Sequence, residues 1–333
     1  MTSVTNHLGT ENLLKKNRSI KLRRLGSQWQ LMLMSVPMLL YVILFNYVPL
    51  FGWRYAFLDI SNERGTLLAF LRGDNPPDYG FNNFANLFKP NAIPFVNTIR
   101  NTLAMSLINL VFGTVSAIVL AVLLNEVRQK AFKRTVQTVT YLPHFLSMVI
   151  VVGMAKIIFD SSVLVPGPLN SLLLSTGLVK TSVDWLGEPK YFWWLVGVIN
   201  VWKEVGWGTI IYISAMTGID PCLYEAASID GAGRFQRILH VTLPGIRSTF
   251  MILLIMNIGH LLDTGFEIQY LLKSSGTQQV AYTIDLYVME YGTGKMIDYG
   301  LATAAGIFKS LVAIVLLTGA NLISKKVSDE SLL

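Results

Sequence analysis

The sequence predicts an all-α polytopic membrane protein with six transmembrane helices, and three observations carry that prediction. Of its 333 residues 52% are hydrophobic and only 14% are charged, with a mean hydropathy of +0.49; a soluble domain carries about 25% charged residues. Six segments approach the ~20 mostly apolar residues that a spanning helix needs. A polar, basic stretch rich in small residues separates the fourth segment from the fifth. The net charge of +7 does not mark a nucleic-acid binder, because the basic residues flank the apolar runs instead of clustering. The single cysteine, Cys222, permits neither an internal disulfide nor a thiolate metal site; it reads as a small apolar filler.

Residues 1–28 form a basic segment with Lys15, Lys16, Arg18, Lys21, Arg23 and Arg24. The apolar run that follows is too long for a signal peptide and has no small-x-small cleavage site after it, so it reads as a retained first span. The membrane domain is expected over 29–323. Its spans Trp29–Phe51 and Asn101–Asn125 carry no charge. Thr138–Phe159 carries Lys156, and Phe192–Met216 carries the adjacent Lys203 and Glu204. Thr249–Leu271 is the weakest, with His260, Asp263 and Glu267; Gly300–Ile323 carries Lys309 and leaves 324–333 as a tail. Six spans put both termini on one side. If that side is cytoplasmic, fifteen basic residues fall inside, mostly near span ends, against nine spread through longer outside loops. That asymmetry sets the orientation. Of the outside loops, Gly52–Arg100 contains Tyr79, Phe81, Phe84 and Phe88 and reads as an interfacial loop with aromatics at headgroup level. Asp160–Tyr191 contains the turn signal Pro166-Gly167-Pro168.

The inside segment 217–246 is the most informative. Asp220-Pro221 reads as an N-cap followed by proline at the first helical position. Cys222 to Asp230 continue as helix, and Gly231 and Gly233 supply left-handed backbone to end it. A second helix, Arg234 to Thr242, is broken by Pro244 before the fifth span. An amphipathic surface helix is the plain alternative. Against it stand Ala226, Ala227 and Gly231, small enough for a partner to approach, and Glu225 and Asp230, two acids in a basic loop.

This helix-turn-helix resembles the EAA loop of permease subunits in binding-protein-dependent ABC importers. Glu225-Ala226-Ala227, Gly231, Val241 and Leu243-Pro244 match the family pattern in spacing, and Asp230 and Ala232 add to it. The likeness extends over residues 30–325, including Phe81-Asn82-Asn83-Phe84 and Asn97 through Leu103, and lies nearest the branch that takes up di- and oligosaccharides, polysaccharide fragments among them. The resemblance implies a type I importer half in a bacterial inner membrane. Glu225, Ala226, Ala227, Asp230, Gly231, Ala232, Leu243 and Pro244 would form the coupling loop seated on a cytoplasmic ATPase. Two ATPase subunits would bind ATP and Mg, and this chain would hold no cofactor or metal. A second related permease (a heterodimer is favoured, a homodimer stays open), an extracytoplasmic solute-binding protein, membrane lipids and the oligosaccharide complete the partners. The chain is not expected to be an enzyme: Gly292-Thr293-Gly294-Lys295-Met296 lacks the spacing and the Ser or Thr of a phosphate-binding loop.

Ionisable residues inside spans usually face the bundle interior. Asn200, Lys203, Glu204 and Trp207 are expected on one face of the fourth span. Asn257, His260, Thr264 and Glu267 are expected on one face of the fifth, with Asp263 beside it, and Lys309 lies on the sixth. Two readings stay open. In one these groups are interhelical ion pairs, such as Lys203 or Lys309 with Asp263 or Glu267. In the other they line a polar vestibule that holds sugar hydroxyls while Trp207 stacks on a ring. Several interior lysines raise the sharper idea of an acidic, uronate-containing sugar. A stand-alone secondary transporter or channel for a small polar solute is the alternative function; it would need broken helices with coupling ions or an inverted repeat, and neither is legible.

Overall fold

The structure, a computed structural model, describes residues 29–58, 79–90, 93–294 and 296–328. The N-terminal basic segment, Arg64, Arg72, Lys295 and the last five residues lie outside the described residues. Two compact units divide the chain after Arg54. In the first, helix α1 (Trp29–Val42) runs into a π-helical turn, Ile43–Tyr47, and then a 3-10 run, Val48–Phe57, that crosses the unit boundary. Trp29, Leu33, Met38 and Phe51 are all exposed, an apolar surface of the kind that lipid or another protein covers.

The second unit is helical, with no strand among its described residues beyond the single antiparallel bridge Leu58↔Tyr79. Helix α2 (Asn82–Leu87) forms within the stretch expected as an interfacial loop. Asn83 Nδ2 donates to the Leu58 carbonyl at 2.7 Å and to that of Ala56 at 3.2 Å. Leu87 is buried, and Phe57 and Phe84 pack on the same apolar cluster. Tyr79, Phe81 and Phe88 do stay exposed.

Two helices run unbroken as the hydropathy predicts: α3 (Phe95–Glu126) and, at the other end of the chain, the last helix, Tyr299–Ser328. At 1.5 Å per residue they are roughly 48 and 45 Å long, ample for a bilayer. The third and fifth predicted spans are not single helices. In the third, α4 (Lys130–Tyr141) gives way to a 3-10 turn, Leu142–Phe145, and α5 (Met148–Ile158) leaves at 105°. Pro143 has no N–H to continue the α ladder, and Ser147 restarts it as an N-cap, its hydroxyl accepting from Ile150 N. Helix α6 (Pro168–Ser175) follows in the loop, with Gly167 as its N-cap. Helix α7 (Pro189–Thr217) is the fourth span and packs more extensively on α3 than any other pair of elements.

After α7 come α8 (Pro221–Ile229), α9 (Arg234–Arg237), a π-helical turn at Ile238–Thr242 and α10 (Leu243–Gly245). Pro244 therefore does not break the second helix. The widened π turn, closed by Leu243 N on the Ile238 carbonyl, shifts the register just where proline cannot donate. The break comes at Ile246, and α11 (Arg247–Gly259) departs at 58°. The fifth span then stops short. A turn over 260–266 precedes α12 (Glu267–Leu272), α13 (Gln278–Ala281), α14 (Ile284–Gly292) and α15, the last helix already given. Among the described residues three helices are long and apolar enough to cross a membrane, or five if each bent pair counts as one span. Helix α7 has the length, but Asn200, Lys203 and Glu204 interrupt its apolar run.

Candidate functional site

A cleft of about 440 Å³ runs along α3 and α7, with α11 and the 260–266 turn on its third side. One end is bounded by an apolar cluster around Met105, Val196 and Ile268, the other by one around Ala117, Tyr212 and Ile246. Small residues set how closely its walls approach. A Cβ on Gly197 would stand 2.5 Å from Ile108 Cγ2, and one on Gly208 would stand 3.3 Å from Ala117 Cβ. Thr209 Oγ1 adds a hydrogen bond across the pair, to the Ala117 carbonyl at 3.3 Å.

Six of the residues expected on a solute path line this cleft: Asn200, Glu204, Trp207, Asn257, His260 and Asp263. Lys203, Glu267 and Lys309 do not. Neighbours on an α-helix point ~100° apart, so Lys203 and Glu204 do not share a face as expected. Glu204 enters the cleft. Lys203 is buried beside the α4–α5 break, where its Nζ donates to the His144 carbonyl and to Glu204 Oε1, both at 2.9 Å. His144 Nδ1 lies 2.7 Å from Glu204 Oε2, and its ring stacks on Trp207 with centroids 4.6 Å apart and planes 6° from parallel. The break thus holds both the carboxylate and the indole of the cleft.

Lys309 reaches from α15 to Asp285 of α14 and to Asp263. Asp263 accepts from His260 Nδ1 at 2.9 Å, if that nitrogen carries the proton. Asp285 accepts from Gly265 N at 2.9 Å, and Thr283 Oγ1 donates to the Gly265 carbonyl at 3.3 Å. Gly265 has φ +68°, a left-handed conformation that favours glycine. The 260–266 turn is thereby strapped to α14 and α15 while His260 faces the cleft. Both interior lysines are spent on protein carboxylates, which is the ion-pair arrangement. Glu267 stands exposed at the start of α12, off the cleft.

Four contributors escaped the sequence reading: His144, Asp285, Ser106 and Gln269. Pro143 within a supposed span was a legible sign of the first. Ser106 and Gln269 also line the cleft but sit in apolar runs that gave no such sign.

The 218–246 segment is built from local signals. Asp220 caps α8, its carboxylate accepting from Cys222 N at 2.9 Å. Helix α8 ends at Ile229, with Asp230 as the C-cap. Ala232 N then donates to the Ala227 carbonyl and Gly231 N to that of Ser228, the two bonds of a Schellman turn. Gly231 takes φ +77°. A Cβ there would meet nothing within 4 Å, so a side chain strains the backbone without a steric clash. Gly233 is not left-handed: at φ −67° it is the N-cap of α9, and its N–H donates to Gln236 Oε1 at 2.8 Å. Tyr224 and Thr242 join the two arms through their hydroxyls at 3.0 Å. Glu225, Ala226, Asp230 and Pro244 are exposed, while Ala227, Ala232 and Leu243 are half-buried. Cys222 is exposed, not buried filler. Ile229 and Phe235 project into solvent at 87% and 71% exposure.

The family described as binding-protein-dependent transport system inner membrane component matches residues 109–329. Protein LplB of Bacillus subtilis (strain 168) is 40% identical over 303 residues, covering 91% of this chain and 90% of that protein. The polygalacturonan/rhamnogalacturonan transport system permease protein YteP of the same organism is 38% identical over 318 residues, covering 96% and 94%. Among solved structures, a chain of a bacterial alginate ABC transporter, crystallised in complex with an alginate pentasaccharide-bound periplasmic protein, superposes with a TM-score of 0.81 at 35% identity, covering 93% of this chain and 99% of that one.

Proposed function

The chain belongs to the family of binding-protein-dependent transport system inner membrane components, and on that premise we propose that it is a permease subunit of an ATP-driven oligosaccharide importer. The observation that carries the substrate class is the convergence of Asn200, Glu204, Trp207, Asn257, His260 and Asp263 on one cleft. Amides, carboxylates and an indole face suit the hydroxyls and apolar faces of sugar rings, as polar groups in an otherwise apolar pocket fix orientation. A bundle of this size forms half of the path, and a second permease supplies the other half.

Six crossings follow if the α1 run, α3, α4–α5, α7, α11 with the turn after it, and α15 each traverse the bilayer. Basic residues near their ends then place both termini and the 218–246 segment in the cytoplasm. That segment couples to an ATPase, which binds ATP and Mg. Its exposed Ile229, Phe235 and Glu225 offer the mixed apolar and charged surface of a protein contact. A periplasmic protein delivers the sugar, as in the complex with the alginate transporter. Uronate-containing oligosaccharides are included among the substrates. Support for them comes from the polygalacturonan and alginate relatives and not from Lys203 or Lys309, which protein carboxylates engage. Family membership weighs against a stand-alone secondary transporter or channel.

The test is uptake into vesicles by the importer purified with its bound partners. ATP-dependent accumulation of labelled oligogalacturonides in preference to neutral oligosaccharides of the same length is expected. Uptake driven by a proton or sodium gradient without an ATPase would overturn the importer reading, and indifference to the carboxylates would remove the acidic substrate alone.

A further inference from the structure

Three side-chain amides are wholly buried among the described residues: Asn101, Asn170 and Gln269. Asn170 is fully used, donating to the carbonyls of Asp160 and Val183 and accepting from Val183 N and Trp185 Nε1. Asn101 donates to the carbonyls of Gln279 and Tyr282. Gln269 has no protein partner for either its nitrogen or its oxygen. It lies in α12 between Ile268 and Leu272, both buried in the apolar cluster that bounds one end of the cleft. Nothing about the helix requires an amide at that position; an aliphatic side chain would fill the space without an unpaired polar group. Gln269 nevertheless lines the cleft. So does Ser106 on α3, which is 7% exposed and whose hydroxyl is also unpaired. Ser106 adjoins Met105, a member of the same apolar cluster as Ile268.

We propose that Gln269 and Ser106 form a deep subsite of the cleft that reads an uncharged hydroxyl of the transported saccharide. The inference rests on the oligosaccharide reading and names its specificity determinant. An amide offers two N–H donors and a carbonyl acceptor, and serine offers one donor and one acceptor. A sugar hydroxyl, which donates and accepts at once, satisfies such a set. A carboxylate satisfies only the donors and meets the amide oxygen as a repulsive neighbour. The subsite therefore takes a neutral ring position even when the sugar is a uronate, and it discriminates against saccharides that lack that hydroxyl. Sites built to bond a hydroxyl reject the analogue without it far more strongly than apolar pockets reject an extra group.

The test uses the purified importer with all its subunits and two near-isosteric variants, Gln269→Leu and Gln269→Met. The substrates are labelled oligogalacturonides, alginate oligosaccharides and neutral oligosaccharides of two to five units, with thermal unfolding of the substrate-free complex as the second readout. Each variant is expected to raise the half-saturating concentration for the sugar that the wild type imports by tenfold or more. Each is also expected to unfold at the same temperature as the wild type or higher, because an unpaired buried amide has been removed. An unchanged half-saturating concentration overturns the proposal and leaves an ordered water as the partner of the amide. A lowered unfolding temperature in both variants also overturns it, since the amide would then be held by protein in the assembled complex. Failure of the oligosaccharide reading looks different: the wild type itself imports none of these sugars, and the subsite falls with it.

Discussion

The cleft and the 218–246 segment use charge in opposite ways. Around the cleft, ionisable groups pair with one another: Lys203 with Glu204, Glu204 with His144, Lys309 with Asp263 and Asp285. In the 218–246 segment, among the described residues, no ion pair forms, and Glu225, Asp230, Ile229 and Phe235 are left exposed. A charge within a bilayer must be compensated by its own chain or by an aqueous cavity. A surface that awaits another protein has no such requirement. The difference separates a region whose charges pair within the chain from one whose exposed groups suit the proposed contact with an ATPase.

Breaking the exposed region gives the largest expected effect. Gly231→Val forces a β-branched residue into the left-handed region at a cost of about 1–2 kcal/mol, and the space around it is open. The chain should still insert and assemble, while sugar-stimulated ATP hydrolysis falls by about tenfold or more; normal stimulated hydrolysis in an ATPase assay would count against coupling through this segment. In the self-completing region, Lys309→Ala takes the cation from Asp263 and Asp285, leaving them only His260 and the Gly265 N–H. A loss of about 2–4 kcal/mol is expected, less than for a fully buried pair because Asp263 is half-exposed. It should appear as a lower unfolding temperature of the complex, and loss of uptake with unchanged stability would return Lys309 to the solute path. Gly197→Ala should cost about 1–3 kcal/mol by overpacking against Ile108, visible in the same melt. Glu204→Gln should be mildest. It keeps the shape, exchanges a charged acceptor for an amide, and should raise the half-saturating sugar concentration about fivefold, the equivalent of ~1 kcal/mol; a change in assembly yield instead would place Glu204 among the structural pairs.

What was legible followed from local chemistry. Uncharged runs identified α1 and α3, and Asp220-Pro221 with Gly231 marked the boundaries of α8, because caps and turns are decided by a few adjacent residues. What was not legible depended on distant partners. Hydropathy averaged across Pro143 and across His260–Phe266, so two broken elements read as continuous helices. The side chain of Lys203 could not be aimed from the sequence, since its partner carbonyl belongs to His144 in another helix. Likewise nothing in the run Glu267–Leu272 marks Gln269 as unpaired, because that depends on what packs around α12. Periodicity shows which residues share a face, and only tertiary contact shows which of them remain free.

The most direct measurement uses the exposed Cys222 on α8, the only cysteine of the chain. A photo-crosslinker attached there, in the importer purified with its partners, should capture a nucleotide-hydrolysing subunit, and the yield should change when ATP is bound and turned over. Crosslinks only to lipid or to a second permease, indifferent to nucleotide, would contradict the account that this segment receives force from an ATPase.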